Sequence, residues 1–466
     1  MHYDSLDTDT TIIAPATASG GATTVVRLSG SRAIAIADRL FRGRGRLADA
    51  EGYTLHYGRI VDGDDETLDD VMVALYRAPH SYTGDDTVEI TLHGSEYIVA
   101  RLLRLAIAEG ATMATPGEFT RRAFLAGKMD LSRAEAVADI IASDSRWSHA
   151  VASQQMRGGY SERIAELRDA LLRLCSLLEL ELDFSEEDVE FADREELRAI
   201  LHSVGEEISR LRNSFALGNV LKEGLAVAII GEPNVGKSTL LNALVGEDRA
   251  MVSDIAGTTR DTIEATTTID GIRYRFVDTA GLRTTDDPLE RMGIERTHRT
   301  IANASVILHL TAADNPEFEA VNLRDDQHYI RVVNKIDRTT TIQPTKLTEL
   351  VNGDDHRGPH PDSDIVYLSA KLGTGIDSLR HRLRSITDTS QLHSGDVIVS
   401  NARHYEALGK ASDAIERTLH ALSSGYPTDL VSEDVRTILH HIGEITGDIT
   451  SDDILHSIFS KFCIGK

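Results

Sequence analysis

The segment that most constrains the fold runs from Gly231 to Ser238, with the sequence Gly-Glu-Pro-Asn-Val-Gly-Lys-Ser. It follows the apolar run Leu225 to Ile230 and precedes a helical pattern that begins at Thr239. Its glycines let backbone N–H groups turn inward around a phosphate, and the helix N-terminus favours negative charge. The segment therefore predicts a nucleoside triphosphate site in a doubly wound parallel sheet.

Downstream motifs identify the base and the metal. In Asn334-Lys335-Ile336-Asp337 the carboxylate can accept both N–H groups of the guanine edge, an arrangement that adenine cannot match. Ser369-Ala370-Lys371 can place a backbone N–H on the guanine oxygen. Asp278-Thr279-Ala280-Gly281 can hold magnesium through water, and Gly257-Thr258-Thr259 supplies a threonine for the metal and a mobile switch. These motifs predict a GTP hydrolase.

The GTP-binding residues predicted from these motifs are Asn234, Val235, Gly236, Lys237, Ser238, Thr239, Gly257, Thr258, Thr259, Asp278, Thr279, Ala280, Gly281, Asn334, Lys335, Asp337, Ser369, Ala370 and Lys371. The residue after Gly281 is Leu282, which can neither transfer a proton nor position water. Another group must orient the attacking water, and the nearby candidates are Arg283, Asp286, Asp287 and Glu290.

Size and charge limit what accompanies the GTPase domain. A chain of 466 residues is too long for one ordinary hydrophobic core, so several domains are expected. The net charge of −25 means that contact with RNA is local or shared with a more basic partner. Two cysteines, no apolar run near the ~20 residues of a membrane span and no signal pattern favour a cytoplasmic protein without a membrane segment.

The predicted secondary structure changes at three points along the chain. Residues 1–125 mix short strands and helices in an α+β pattern, and residues 126–221 show helical periodicity, with an apolar stripe that includes Cys175. Residues 222–386 alternate strands and helices, and residues 387–466 are helical again. The α/β segment therefore interrupts a helical domain made of two chain segments. His440 and His441 are adjacent in a helical pattern, which favours packing and solvation over a metal site.

Several segments also resemble a known family. The Pro-Asn-Val-Gly-Lys-Ser, Gly-Thr-Thr-Arg-Asp and Asp-Thr-Ala-Gly-Leu-Arg segments resemble TrmE-Era-type GTPases. Thr11 to Thr17, Pro116 to Phe124 and Phe462 to Lys466 extend this to the MnmE (TrmE) family of tRNA modification GTPases over essentially the whole chain. The resemblance implies a tetrahydrofolate-binding, dimerising N-terminal domain, a discontinuous helical domain and an inserted P-loop GTPase domain.

The resemblance also implies a task. With the flavoprotein MnmG (GidA), the family adds a carboxymethylaminomethyl or aminomethyl group at C5 of the wobble uridine of certain tRNAs. Its cofactors are Mg²⁺, K⁺ and a 5-formyl or methylene derivative of tetrahydrofolate. Its partners are a second copy of the chain, MnmG in a heterotetramer or larger complex, and tRNA bound through that complex. Two alternatives stay open: a regulatory GTPase of ribosome assembly, and a folate-dependent one-carbon transferase regulated by GTP.

Family roles transfer to matching residues of the GTPase domain. The resemblance implies that Asn234 is a potassium ligand and that Glu290 orients water through a bridging water. Otherwise Asn234 would be a loop-stabilising amide, and Glu290 an exposed glutamate. The implied metal ligands are Ser238 and Thr259 for magnesium, and Asn234, Ser253, Ile255 and Thr258 for potassium. The same resemblance adds Ser253, Asp254, Ile255 and Ala256 to the GTP-binding residues.

For tetrahydrofolate, the resemblance implies a pocket lined by Arg27, Glu89, Lys128 and Lys466. A carboxylate such as that of Glu89 can grip the amide-like edge of a pterin, while a cation pairs with the glutamate tail. Without the resemblance, Arg27 and Glu89 would be ordinary surface residues of strands. Cys463 has two interpretations: a catalytic nucleophile near the folate, or a small apolar residue that anchors the tail.

Overall fold

The computed structural model of the protein describes residues 10–18, 20–62, 65–183, 194–246, 264–278, 300–324, 327–338, 365–387 and 397–465. The chain divides into two compact units. One contains Met1–Ile141, Gln155–Ile208 and Ala407–Lys466, and the other contains Ala142–Gln154 and Ser209–Glu406. We call them the terminal unit and the central unit. The boundaries of the four segments expected from the sequence stay a prediction.

The regular elements are numbered along the described chain. The strands are β1 (Ile12–Pro15), β2 (Thr23–Ser29), β3 (Phe41–Gly43), β4 (Thr54–Val61), β5 (Thr67–Tyr76), β6 (Thr87–His93), β7 (Thr112–Met113), β8 (Leu225–Gly231), β9 (Glu264–Ile269), β10 (Ile272–Asp278), β11 (Val306–Ala312), β12 (His328–Asn334) and β13 (Ile365–Tyr367). The helices are α1 (Ala33–Leu40), α2 (Glu96–Ala108), α3 (Glu118–Leu125), α4 (Leu131–Ala142), α5 (Arg146–Met156), α6 (Gly159–Asp183), α7 (Arg194–Asn213), α8 (Phe215–Glu223), α9 (Lys237–Val245), α10 (Ile376–Ile386), α11 (Ala402–Ser423), α12 (Thr428–Thr446) and α13 (Asp452–Phe459).

The terminal unit contains a seven-stranded sheet in the order β3-β4-β5-β6-β2-β1-β7. Its strands pair antiparallel except β1 and β7, which are parallel. Alternation along β5 buries Val71, Val73 and Leu75 on one face, and α1 and α2 supply further apolar side chains to that core. The mixture of short strands and helices expected of residues 1–125 is confirmed.

Helices complete the terminal unit. The predicted apolar stripe of α6, which includes Ile164 and Leu178, is buried, and α6 packs along α12. Cys175 lies on this stripe and is 7% exposed, so its assignment to the core is confirmed. Burial raises the pKa of the Cys175 thiol, and the neighbouring Glu179 carboxylate raises it further. A thiol in this setting stays protonated and inert.

The central unit contains a six-stranded sheet in the order β13-β12-β11-β8-β10-β9. All neighbouring strands are parallel except β9 and β10, which form a hairpin. The left-handed conformations of Asp270 (φ 50°) and Gly271 (φ 82°) are those of a type I′ turn. β8 is a continuous apolar run because helices cover both faces of such a sheet. The predicted doubly wound fold is confirmed, as is the α+β class of the N-terminal part.

None of the helices in the described part of the chain combines the length and the apolar character needed to cross a membrane.

Candidate functional site

The predicted phosphate-binding loop lies where β8 ends and α9 begins. Gly231 has φ 145°, and a Cβ there would lie 2.2 Å from the carbonyl oxygen of Leu310. Gly236 has φ 101°, and a Cβ there would lie 2.4 Å from Nδ2 of Asn334. Both glycines are therefore required by close approach as well as by backbone conformation. They turn the loop so that the N-terminus of α9 faces the place of a phosphate.

Lys237 is the first residue of α9, and its side chain reaches back across the phosphate loop. Its Nζ donates to the carbonyl oxygens of Gly231 (2.9 Å) and Glu232 (3.0 Å). These contacts hold the side chain over the loop, where a triphosphate would meet its charge. Ser238 and Thr239 follow in the first turn and are exposed, so their hydroxyls are accessible to a metal ion and a phosphate.

Asn334, at the end of β12, connects three loops of the site and is 2% exposed. Its Nδ2 donates to the Val235 carbonyl oxygen at 2.8 Å. Its Oδ1 accepts from the backbone N–H groups of Lys335 (2.8 Å) and Ala370 (2.9 Å). The Ala370 N–H belongs to the Ser369-Ala370-Lys371 segment, from which the sequence predicts a backbone N–H for the guanine oxygen, and here it donates to Asn334. Asn334 therefore holds the loops that follow β12 and β13 against the phosphate loop.

Asp337 and Ser369, both predicted to contact the guanine base, form a hydrogen-bonded pair. The Ser369 hydroxyl donates to Oδ1 of Asp337 at 2.5 Å. That hydrogen bond lowers the pKa of the Asp337 carboxyl below its usual range, so it is ionised at neutral pH. Each carboxylate oxygen has two acceptor positions. Oδ1 can therefore accept from a base while Ser369 holds it, which orients the carboxylate towards two N–H donors.

A cavity of about 440 Å³ adjoins the phosphate loop at the carboxyl ends of β8 and β11. This edge, where the chain order of the sheet reverses, is the usual ligand position of doubly wound folds. Asp314, Glu317 and Glu319 contribute carboxylates to the lining. Carboxylates repel a triphosphate, so the amides of the phosphate loop suit the phosphates better than this cavity does. The lining also includes His309, whose burial lowers its pKa to about 4 and keeps it neutral.

Other predicted residues of the GTPase site lie outside the described residues. They are Ser253, Asp254, Ile255, Ala256, Gly257, Thr258, Thr259, Thr279, Ala280, Gly281 and Glu290. Lys466, which the resemblance assigns to the folate pocket, also lies outside the described residues. Asp278 is described as the last residue of β10, directly opposite Ile229 of β8. Its backbone is therefore one strand away from the phosphate loop.

A second polar cluster lies on the sheet of the terminal unit. Arg27 of β2 and Glu89 of β6 are directly opposite each other. The Arg27 Nε donates to Glu89 Oε1 at 2.8 Å, and its NH2 lies 2.7 Å from the same oxygen. The guanidinium carbon of Arg27 is 5.5 Å from the ring centres of both Tyr82 and Phe119. The pair is therefore partly buried and fixed by two aromatic rings.

The C-terminal tail reaches this cluster. The carbonyl oxygen of Gly465 accepts from Arg27 at 3.4 Å. Gly465 has φ 98°, and a Cβ there would lie 2.0 Å from the Pro15 carbonyl oxygen, so the tail passes close to the backbone after β1. Cys463 is exposed, and its carbonyl oxygen accepts from the Gly117 N–H at 3.5 Å. Lys128 donates to the carbonyl oxygen of Pro79, in the loop that carries Tyr82.

Sequence reasoning missed the aromatic residues that hold Arg27. The Tyr82 hydroxyl, in the loop between β5 and β6, is 2.9 Å from the hydroxyl of Thr120 on α3. Burial raises the pKa of Tyr82, so it remains a neutral donor at neutral pH. Phe119 and Thr120 belong to the segment Pro116 to Phe124, which the family resemblance singled out. The resemblance of this segment to the family was therefore the one sequence feature that pointed to Phe119 and Thr120 as residues of the Arg27 cluster.

The fold and the loop define a class: the central unit is a P-loop GTPase domain. Two family models match the chain, "GTP-binding protein TrmE N-terminus" over residues 11–128 and "MnmE helical domain" over residues 131–463. Together with the relatives described next, they show that the chain belongs to the MnmE (TrmE) family of tRNA modification GTPases.

The chain is similar to the tRNA modification GTPase MnmE of Bacteroides fragilis, with 47% identity over 98% of this chain and 99% of that protein. The MnmE of Flavobacterium johnsoniae is 45% identical over the same shares. A crystal structure of Aquifex aeolicus Era bound to GDP.AlF4- covers 40% of this chain and 65% of that chain, with 27% identity and a TM-score of 0.26. That TM-score is low, so the assignment rests on the sequence relatives. The chain is a GTP hydrolase, and enzymes of this class act with Mg²⁺.

Proposed function

We propose that this chain uses its GTPase cycle to drive modification of the wobble uridine of tRNA. Together with the flavoprotein MnmG, it adds a carboxymethylaminomethyl or aminomethyl group at C5 of that base. The observation that carries the proposal is full-length similarity: the curated relative at 47% identity is matched over 99% of its length, including both regions that flank the GTPase domain. The acidic chain, with net charge −25, favours tRNA binding through a more basic partner.

Nucleoside analysis of tRNA from a strain that lacks the gene tests this proposal. Loss of the C5 modification, restored by a plasmid copy, is the expected result. Unaltered tRNA with accumulating precursors of ribosomal RNA would replace the proposal with a role in ribosome assembly. Unaltered tRNA with altered folate-dependent methylation elsewhere would indicate a one-carbon transferase of another substrate.

In the GTPase cycle, Asn234 ligates K⁺, and Glu290 orients the attacking water through a second water. Asn234 lies in the phosphate loop with φ 62°, and its side chain is exposed. Its carbonyl oxygen is held by the Lys335 ammonium, which fixes the backbone at this position. A cation bound here would neutralise charge between the β- and γ-phosphates. Leu282, which cannot position water, supports the use of another residue for that role.

Potassium is expected to raise the rate of GTP hydrolysis by at least about tenfold over sodium at equal ionic strength. The reason is that a site of fixed oxygen ligands distinguishes cations by size. Steady-state hydrolysis in KCl and in NaCl measures the effect, and Asn234→Ala should remove the difference. Equal rates in both salts for the wild-type chain would contradict the role of Asn234 as a cation ligand.

The Arg27–Glu89 cluster binds a tetrahydrofolate derivative. Glu89 accepts from the pterin edge, and a cation (Arg27, Lys128 or Lys466) pairs with the glutamate tail of the cofactor. The aromatic rings of Tyr82 and Phe119 hold Arg27 in place, which reduces the conformational entropy lost on binding. Cys463 is exposed and lies two residues before Gly465, whose carbonyl oxygen accepts from Arg27.

Replacing Glu89 by alanine is expected to weaken binding of 5-formyltetrahydrofolate by about tenfold to a hundredfold, because one hydrogen bond to a charged group contributes roughly 1.5–3 kcal/mol. Equilibrium dialysis with radiolabelled folate measures the change. Glu96→Ala, which removes an exposed carboxylate at the start of α2, is the matched control and should bind normally. Wild-type affinity in the Glu89 variant would exclude this residue from the pocket.

The chain forms a homodimer through the outer face of the β4–β5 part of the sheet. Leu55 and Tyr57 of β4 are 63% and 68% exposed. They lie directly opposite Ala74 and Met72 of β5 on the same face. Exposed apolar patches of this kind mark protein interfaces. We assign this face to a second copy because it continues across β6 to Glu89, the folate residue opposite Ala74.

Tyr57→Glu is expected to convert the dimer to monomer, with at least about a tenfold increase of the dimer dissociation constant. The reason is that each of the two chains then places one charge in an apolar interface. Sedimentation equilibrium over a range of protein concentrations measures it. Tyr97→Glu changes a residue of α2 that is 67% exposed and serves as the control. A Tyr57 variant that remains as dimeric as the control would show that the interface lies elsewhere.

A further inference from the structure

The last two turns of α12 carry His440, His441 and Glu444. The sequence favoured packing and solvation for the two histidines. In the structure, however, the imidazoles and the carboxylate converge, and one potential ligand atom from each lies within 4.8 Å of the other two. Within the described parts of the chain, no other set of three histidine, cysteine or acidic side chains has this property.

The distances between the histidine nitrogens and the Glu444 oxygens are longer than that of a short, strong hydrogen bond. His440 Nε2 lies 3.4 Å from Glu444 Oε1, and His441 Nδ1 lies 3.4 Å from Glu444 Oε2. By contrast, the histidine–carboxylate pair His93–Asp69 of the same chain is 2.7 Å apart, which is a direct hydrogen bond. Both histidines approach the carboxylate, each on a separate oxygen, and the contact of His441 is a long hydrogen bond.

A separation of 3.4 Å is the distance between ligands around a metal ion. Zinc–nitrogen and zinc–oxygen bonds are about 2.1 Å long, and two ligands of a tetrahedral ion are then about 3.4 Å apart. A histidine four residues before a glutamate, and another three residues before it, lie on the same helix face one turn away. The helix therefore preorganises all three ligands without any contribution from a loop.

We propose that His440, His441 and Glu444 bind a divalent transition metal of the zinc class. Two imidazoles and a carboxylate suit zinc, whereas Mg²⁺ and Ca²⁺ prefer sets of oxygen ligands. The site lies near the end of α12 at Thr446, where the partial negative charge of the helix C-terminus favours a cation. The His440 side chain is 51% exposed, so solvent or another molecule can supply the fourth ligand. This site is separate from the GTPase chemistry of the central unit.

Zinc titration of the full chain tests the proposal. Protein treated with EDTA and freed of nucleotide is titrated with ZnCl₂ by calorimetry, with millimolar MgCl₂ present to saturate sites for hard cations. The Cys463→Ser background is used throughout because an exposed thiol can bind zinc. His441→Asn and Glu444→Gln are the test variants. His381→Asn removes an exposed helical histidine elsewhere and is the matched control. Circular dichroism verifies that every variant keeps its helical content.

The expected result is one zinc ion per chain, bound at least tenfold more weakly by both test variants and normally by the control. Co²⁺ in place of zinc should give the visible absorption bands of a tetrahedral ion with nitrogen and oxygen ligands, and the test variants should lose them. Absence of zinc binding in the background protein would overturn the proposal. Equal binding by the test variants and the control would also overturn it, because the ion would then lie elsewhere.

Discussion

Asp337→Asn is expected to lower the affinity for GTP by about 10²- to 10⁴-fold, because two hydrogen bonds to a charged acceptor, each worth roughly 1.5–3 kcal/mol, are lost. The same variant should gain affinity for xanthosine triphosphate. An asparagine offers an N–H donor where xanthine has a carbonyl oxygen and guanine has an amino group. The Ser369 hydroxyl, which donates to Oδ1 of Asp337, can equally donate to the amide oxygen of the new side chain and keep it oriented.

Competition of both nucleotides against a fluorescent GDP analogue measures this change of specificity. Asp377→Asn removes a carboxylate that is 97% exposed on α10 and should leave both affinities unchanged. The lowered pKa of Asp337 adds a pH expectation. The carboxyl group is ionised through the neutral and mildly acidic range, so guanine selectivity in the wild-type chain should not change between pH 8 and pH 6. A variant that retained full preference for GTP would show that Asp337 does not contact the base.

Gly236→Ala is expected to reduce GTP affinity by at least about a hundredfold, since a left-handed conformation alone costs an alanine roughly 1–2 kcal/mol and a steric overlap is added. The new Cβ would lie 2.4 Å from Nδ2 of Asn334. That amide donates to the Val235 carbonyl oxygen, and its Oδ1 accepts from the Ala370 N–H. Displacing Asn334 therefore disturbs the phosphate loop and the base loops together.

Isothermal titration with GDP and GTP measures the loss, and thermal unfolding measures any change of stability. Gly425→Ala separates the backbone strain of a left-handed alanine from the steric overlap of its Cβ. Gly425 also has positive φ (70°), but a Cβ there would meet no heavy atom within 4 Å. This control should lose a little stability and bind nucleotide normally. Equal affinities for GTP in the Gly236 variant and the control would refute the role of Asn334 as the connection between the loops.

Local patterns were sufficient to predict most of the fold. The run Leu225 to Ile230 forms β8, and Asp270-Gly271 forms the turn of the β9–β10 hairpin, because apolar continuity and turn chemistry are local properties. Strand order is not local. That β8 lies between β10 and β11 depends on right-handed crossovers and packing across the whole sheet. The motifs predicted the class of fold, and the strand order followed only from that class.

The candidate sites were predictable to different degrees. Asp337 and Lys237 follow from motifs whose spacing determines their chemistry. The central position of Asn334, with partners 99 and 36 residues away, could not be read from sequence spacing. The same is true of Tyr82 and Phe119 around Arg27, because aromatic residues in mixed α+β segments are usually core residues. Long-range contacts of this kind become visible only in the structure.

The central proposal is that a nucleotide switch drives a tRNA modification, and complementation of a deletion strain tests it. A strain that lacks the gene is complemented with the wild-type chain, with Gly236→Ala or with Gly425→Ala, and the modified nucleosides of its tRNA are quantified. We expect full C5 modification of the wobble uridine with the wild type and the Gly425 variant, and its loss with the Gly236 variant at equal protein levels. Full modification in the Gly236 variant, with GTP binding abolished in the purified protein, would show that the modification does not depend on the nucleotide switch.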